Sequence, residues 1–201
     1  MLARQSQARV ALDIPLRGAR DYVHSTDLFG ALDALADQLV GPNAHLKTLR
    51  LRRLAYRQVV AQFEPHADAF GSFAFAARGR LVEGWLVEDP APITGRIAFV
   101  EAAIARQAVS EQGRVFLRSP VQGYSSFEQL IVLIKMLCAQ SLAGHWLFTS
   151  IDLDGPLLKE AALAVSRTQL VLGRMMDAML YQDGSPGGRM QMVIPAAGDI
   201  A

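Results

Sequence analysis

"YVHSTDLFGALDALADQL" runs from Tyr22 to Leu39, and "YSSFEQLIVLIKMLCAQSL" runs from Tyr124 to Leu142. Both begin with an aromatic residue and short polar side chains, and both continue as an apolar helical pattern. Each then passes through a short break into an extended segment, "HLKTLRLRRLAY" from His45 and "HWLFTSIDLDGPL" from His145. One slide of the sequence along itself lays Asp27 on Ser126, Leu28 on Phe127, Leu32 on Ile131, Leu35 on Ile134 and Leu39 on Cys138. A slide one residue longer lays Leu46 on Trp146 and Leu51 on Ile151, and near the two ends "ITGRIAFV" meets "PGGRMQMVI". Low identity with a shared element order and helix phase marks two copies of one supersecondary unit, not a short-period solenoid.

In the first copy Leu28, Leu32, Leu35 and Leu39 fall at helical spacings, with Ala31 and Ala34 between them. Ser25 or Thr26 reads as the N-cap and Asp27 as a first-turn acid; Gly41, Pro42 and Asn43 end the helix. Ahead of it "RVALDIPL" alternates as a strand that ends at Gly18. After it Leu49 and Leu51 alternate with Arg50 and Arg52, giving one dry and one wet face, and the doubled Arg52-Arg53 predicts a bulge. "SFAFAARG", "RLVEGWLVED" and "TGRIAFVEAAIARQAV" read as extended runs. The second copy repeats the order. "GRVFLRSPV" is a strand, and Ser125 answered by Glu128 reads as a capping box ahead of the helix. "HWLFTSIDL", "LAVSRTQLVLG", "RMMDAMLYQD" and "GRMQMVIP" are strands, with "DGSPGG" as a hairpin turn. The division expected is 1–112 and 113–201, with no flexible linker. A helix apolar round most of its circumference has to be wrapped, and a curved antiparallel sheet supplies the wrapping.

Composition narrows the possibilities. The 201 residues suffice for one ordinary domain or two very small ones, and 51% apolar against 19% charged residues calls for a buried core. A net charge of +1 offers no electrostatic grip on nucleic acid or on an acidic membrane. The single cysteine, Cys138, excludes an intrachain disulfide and sits in an apolar run, as a buried thiol would. No run reaches the roughly 18 apolar residues of a membrane span. The N-terminal "MLARQSQARVALDIPL" lacks the apolar stretch and cleavage-like site of a signal peptide, so a cytoplasmic location is expected. P-loop, dinucleotide-binding, HExxH and GxSxG patterns are missing, and neither a metal nor a cofactor is expected.

The doubled order of strand, apolar helix and antiparallel strands, with "HSTDLFGAL" at its first helix start, resembles the hotdog superfamily in the form of a fused double hotdog. The resemblance implies an α+β double hotdog, two repeats each with a long central helix wrapped by a curved antiparallel β-sheet. It implies work on acyl thioesters of coenzyme A or of acyl carrier protein, the substrates of the superfamily's thioesterases, hydroxyacyl dehydratases and hydratases. It also implies a thioester bound between two units, its carbonyl near a helix N-terminus, where free N–H groups and the helix dipole stabilise an oxyanion. In this chain that position is His24, Ser25, Thr26 and Asp27 in one half and Tyr124, Ser125 and Ser126 in the other.

Asp27 is the candidate general base or nucleophile, although acids also gather in first helical turns for capping alone. His24 is the candidate for orienting or protonating the leaving group, with a plain loop histidine as the alternative. Ser25, Thr26, Tyr124, Ser125 and Ser126 are candidate substrate contacts. Arg50 and Arg52, with Arg53 and Arg57, would hold coenzyme A phosphates or face an acidic carrier protein, unless they form a solvated outer face. Dehydratases of the superfamily carry an H-F-P-G-like or H-x3-G-x4-P motif, and neither occurs; "PHADAFGS" has its glycine one place too late. His45 and His145, at equivalent breaks after the two helices, read as structural. The sequence reading is therefore an acyl-thioester enzyme of fatty-acid, polyketide or related secondary metabolism, thioesterase-like. A non-catalytic acyl-binding or partner-subunit protein and an atypical hydroxyacyl dehydratase are the alternatives. An uncovered sheet edge would make it a homodimer.

Overall fold

Helix α1 (Ser25–Val40) carries the pattern that the leucine spacing predicts: Leu28, Phe29, Leu32, Leu35 and Ala36 are buried. The computed structural model describes residues 9–98 and 101–195. The leader reading of residues 1–8 and the part of the "ITGRIAFV" match on residues 99–100 lie outside the described residues. The chain divides into two compact units, Met1–Phe99 and Val100–Ala201.

The first unit holds β1 (Val10–Leu12), β2 (Leu16–Arg17), α1, β3 (His45–Leu51), β4 (Val59–Gln62), β5 (Gly71–Ala77), β6 (Arg80–Glu88) and β7 (Arg96–Ile97). Its antiparallel sheet runs β1-β4-β6-β5-β3, while β2 and β7 pair in parallel as a separate two-stranded ribbon. α1 packs on β3, β5 and β1, and Asp33 Oδ1 accepts the Leu46 N–H at 3.0 Å, tying the helix to the start of β3. Phe73 lies across from Gly84, and a Cβ there would stand 2.2 Å from the ring's Cζ. That glycine lets the ring lie flat on β6, where it contacts Phe75 at 4.9 Å and Phe63 edge-on at 5.7 Å. Complete burial of a side chain such as Leu32, Leu46 or Phe75 contributes about 1.5–3 kcal/mol.

The second unit holds α2 (Glu101–Ala105), β8 (Val109–Glu111), β9 (Arg114–Phe116), α3 (Ser126–Ala139), β10 (Leu147–Leu153), β11 (Leu163–Val171), β12 (Met175–Gln182) and β13 (Ser185–Val193). Its antiparallel sheet runs β10-β13-β12-β11-β9-β8. α3 is buried along almost its whole length, and its one lysine, Lys135, reaches Glu101 of α2 at 2.5 Å. Gly188, at φ +146°, lets β13 approach β10 so closely that a Cβ would sit 2.3 Å from the Asp152 carbonyl oxygen.

Several expectations are corrected. α1 is wrapped on one side only: Asp33, Ala34, Asp37 and Gln38 form an exposed strip, so full wrapping applies to α3 alone. The segment "TGRIAFVEAAIARQAV" is not one extended run, because Glu101–Ala105 is helical, as its alanines and leading glutamate favour. "RVALDIPL" breaks near Pro15 into β1 and β2. The irregularity in β3 falls between Leu46 and Thr48, and Arg52-Arg53 lie beyond the strand's end. The turn in "DGSPGG" is Asp183-Gly184 alone, both at positive φ. Pro186 continues in β13 and faces only β12, since β10 pairs no further than Gly188. Within the second unit α2 packs on α3 and β8 pairs with β9.

The loop after β3 folds round Glu88. Its Oε1 accepts the N–H groups of Tyr56 at 2.6 Å and Arg57 at 3.2 Å, and its Oε2 takes the Arg53 guanidinium. Partial burial pushes the carboxyl's pKa up, but the Tyr56 N–H, the Arg53 charge and the Arg57 N–H outweigh it and hold the pKa below its ordinary 4.5. A depressed carboxylate contributes stability above pH 4.5 that is lost as the pH falls through its folded-state value. Denaturant melts of wild type and Glu88→Gln at stepped pH should show wild type more stable above that pH, with the gap closing below it. A gap independent of pH would contradict this account of the loop.

Candidate functional site

The start of α1 gathers the polar residues of the first unit. Val23 is fixed by its N–H to the Ala55 carbonyl at 2.8 Å, and the chain then enters the helix through His24. His24, not Ser25 or Thr26, is the N-cap: its backbone is extended and its Nδ1 accepts from the Thr26 N–H at 3.5 Å. Its carbonyl accepts the N–H groups of Asp27 at 3.1 Å and Leu28 at 3.2 Å. A ring nitrogen can satisfy first-turn donors as a serine oxygen does, which leaves Ser25 and Thr26 inside the first turn. The Thr26 hydroxyl lies within hydrogen-bond distance of the same Nδ1, at 2.7 Å. His24 and Thr26 are each 4% exposed, so this is no surface histidine.

Asp27 turns the other way. Its Oδ2 accepts from Arg17 Nε at 2.5 Å, and the two side chains are only 9% and 10% exposed. Arg17 is a residue that the sequence reading missed. Leu12 and Ile14 point inward, and continued alternation would have buried Leu16; the break near Pro15 shifts the phase and buries Arg17 instead. A buried ion pair of this kind contributes little net stability as a pair. Removing one partner alone leaves an uncompensated charge and costs about 3–5 kcal/mol.

The start of α3 is organised differently. Ser125 and Glu128 form the expected capping box, with the Ser125 N–H on Glu128 Oε2 at 2.7 Å and the Glu128 N–H on Ser125 Oγ at 3.2 Å. Ser126 Oγ donates to the Leu158 carbonyl at 2.8 Å. The Tyr124 carbonyl accepts from Gln129 Nε2 at 3.0 Å, and Gln129 Oε1 accepts the Val121 N–H at 2.9 Å. Gln129 is 1% exposed and also went unread; its only signal is a polar residue at a buried phase of an apolar helix.

The four basic candidates do not act together. Arg53 is bound to Glu88 and lies over the Phe70 ring, and Arg57 donates to the Pro90 carbonyl at 2.8 Å. Arg50 and Arg52 are exposed, with no side-chain hydrogen bond or ion pair among the described residues. His66 accepts the Asp68 N–H at 3.2 Å in an exposed loop, while His45 Nδ1 is buried without a partner among the described residues. Burial pushes the Cys138 thiol up to about 12, which makes it inert as a nucleophile. Among the described residues no three His, Cys, Asp or Glu side chains gather as a metal site, and no helix is long and apolar enough to cross a membrane.

No family model matches the chain, and no curated protein matches its sequence. Among solved structures it is similar to the pyran synthase domain from module nine of the sorangicin pathway, at 11% identity and a TM-score of 0.51, with 97% of each chain covered. It is also similar to the bifunctional dehydratase-cyclase domain of ambruticin biosynthesis, at 15% identity and TM-score 0.48, covering 89% of this chain and 84% of that one. An acyl-ACP thioesterase from Bacteroides thetaiotaomicron matches at 12% identity and TM-score 0.44, with 93% and 96% covered. The first of these likenesses spans nearly the whole of both chains. With an apolar helix against an antiparallel sheet in each unit, the fold of this chain is the hotdog fold.

Proposed function

We propose that this chain processes acyl thioesters, carried by coenzyme A or an acyl carrier protein, in polyketide- or fatty-acid-type metabolism, and that its reaction is thioesterase-like hydrolysis. The observation that carries the reading is the buried polar group His24, Thr26, Asp27 and Arg17 at the start of a helix otherwise chosen for apolar burial. Such residues are costly to bury and cluster where chemistry needs them. In this reading Asp27 takes a proton from water as the water oxygen attacks the thioester carbonyl carbon. The tetrahedral oxyanion then collapses, and the thiolate leaves and is protonated from the His24 side. The full-length likeness to a pyran synthase domain of a modular pathway supports the metabolic setting. The same reading takes the two units as repeats of one ancestral hotdog, working as a cytoplasmic homodimer.

A second reading has its own support. Asp27, Ser126 and Glu128 all have partners within the chain, as they would in a hotdog that binds an acyl chain without cleaving it.

Turnover of a panel of acyl-coenzyme A and acyl-carrier thioesters separates the two. Asp27→Asn should lose roughly 10²–10⁴-fold in turnover, the scale of general-base loss, while remaining folded. Equal activity in both proteins would remove Asp27 from the chemistry. No turnover in either, with acyl thioester bound, would decide for the second reading. Light scattering should give a dimer at micromolar concentration, and a monomer throughout would remove the homodimer.

A further inference from the structure

We propose that Arg17 is the positioning residue of this site, an inference that rests on the reading of Asp27 as its base. A first-turn aspartate has two free side-chain torsions, and a base must present one oxygen in one direction. Arg17 Nε engages Oδ2 at 2.5 Å, which leaves Oδ1 as the oxygen that meets the attacking water. The pair is nearly dry, so its attraction is weakly screened and its orientation is held.

Arg17 is itself held from outside the site. β2 pairs with β7 on both sides of it: Leu16 N–H donates to the Gly95 carbonyl and Gly18 N–H to the Ile97 carbonyl, each at 2.9 Å. The Arg96 guanidinium clamps the following turn through the carbonyls of Gly18 and, at 2.9 Å, Arg20. The small β2–β7 ribbon thus delivers one guanidinium to one carboxylate, and Arg96 acts on the site only through it.

The test uses the full chain with whichever acyl thioester wild type turns over best, comparing Arg17→Met, Arg17→Lys and Arg96→Gln, each with its thermal melt. Arg17→Met should lower kcat per folded molecule on the order of 10–100-fold with KM within about twofold, while the melt reads the separate cost of leaving the Asp27 charge uncompensated. Arg17→Lys should recover part of the loss, and Arg96→Gln should show the same kcat-only signature more weakly. Unchanged kcat in the Arg17 variants while Asp27→Asn is inactive would overturn the inference and leave the functional reading standing. So would losses that track only the folded fraction. Should Arg17→Met not fold, Arg17→Lys and Arg96→Gln carry the same comparison. An inactive wild type, or Asp27→Asn as active as wild type, would overturn the functional reading and the inference with it.

Discussion

The first turn of an apolar helix brings polar groups that its own backbone leaves without partners. Most of the specific chemistry of the structure answers that constraint. At α1 the answer is a histidine cap for the Thr26 N–H and an arginine for the Asp27 carboxylate. At α3 it is a serine–glutamate capping box and a buried glutamine that ties down residues 121–124. The apolar faces then pack on antiparallel sheets, and those sheets use Gly84 and Gly188 where a ring or a neighbouring strand comes too close for a Cβ.

The two helix starts therefore differ in kind. The capping box at α3 is a local motif that any solvent-facing helix can use, and it needs no other element. At α1 the carboxylate is matched by a guanidinium from a separate two-stranded ribbon, an arrangement that a capping role does not require. That excess over what capping needs is the physical basis for placing the candidate chemistry at Asp27 rather than at Ser125, Ser126 or Glu128.

The sequence made the local features readable. The spacing of Leu28, Leu32 and Leu35 with Gly41 beyond them gave α1 its extent, and Ser125 with Glu128 gave the cap of α3. The strands β10, β11 and β12 fall within the runs that read as strands, and β12 alternates between buried and part-buried positions over most of its length. What was hidden depends on contacts between distant segments. Arg17 looked like a strand-end residue because the break near Pro15 inverts the alternation, and its partner lies on another element. α2 was hidden because five residues are too few for a helical period, and it is held by Ile104 in the core and by Lys135. His24 was hidden as a cap because histidine is a rare choice for that position.

A double-mutant cycle on folding stability tests the central claim most directly. Denaturant unfolding of wild type, Arg17→Met, Asp27→Asn and the double variant measures whether the two side chains depend on each other. This account predicts a coupling of roughly 0.5–3 kcal/mol, the double variant being less destabilised than the sum of the single ones. Strict additivity would mean that the pair does not hold the start of α1, and would contradict the account.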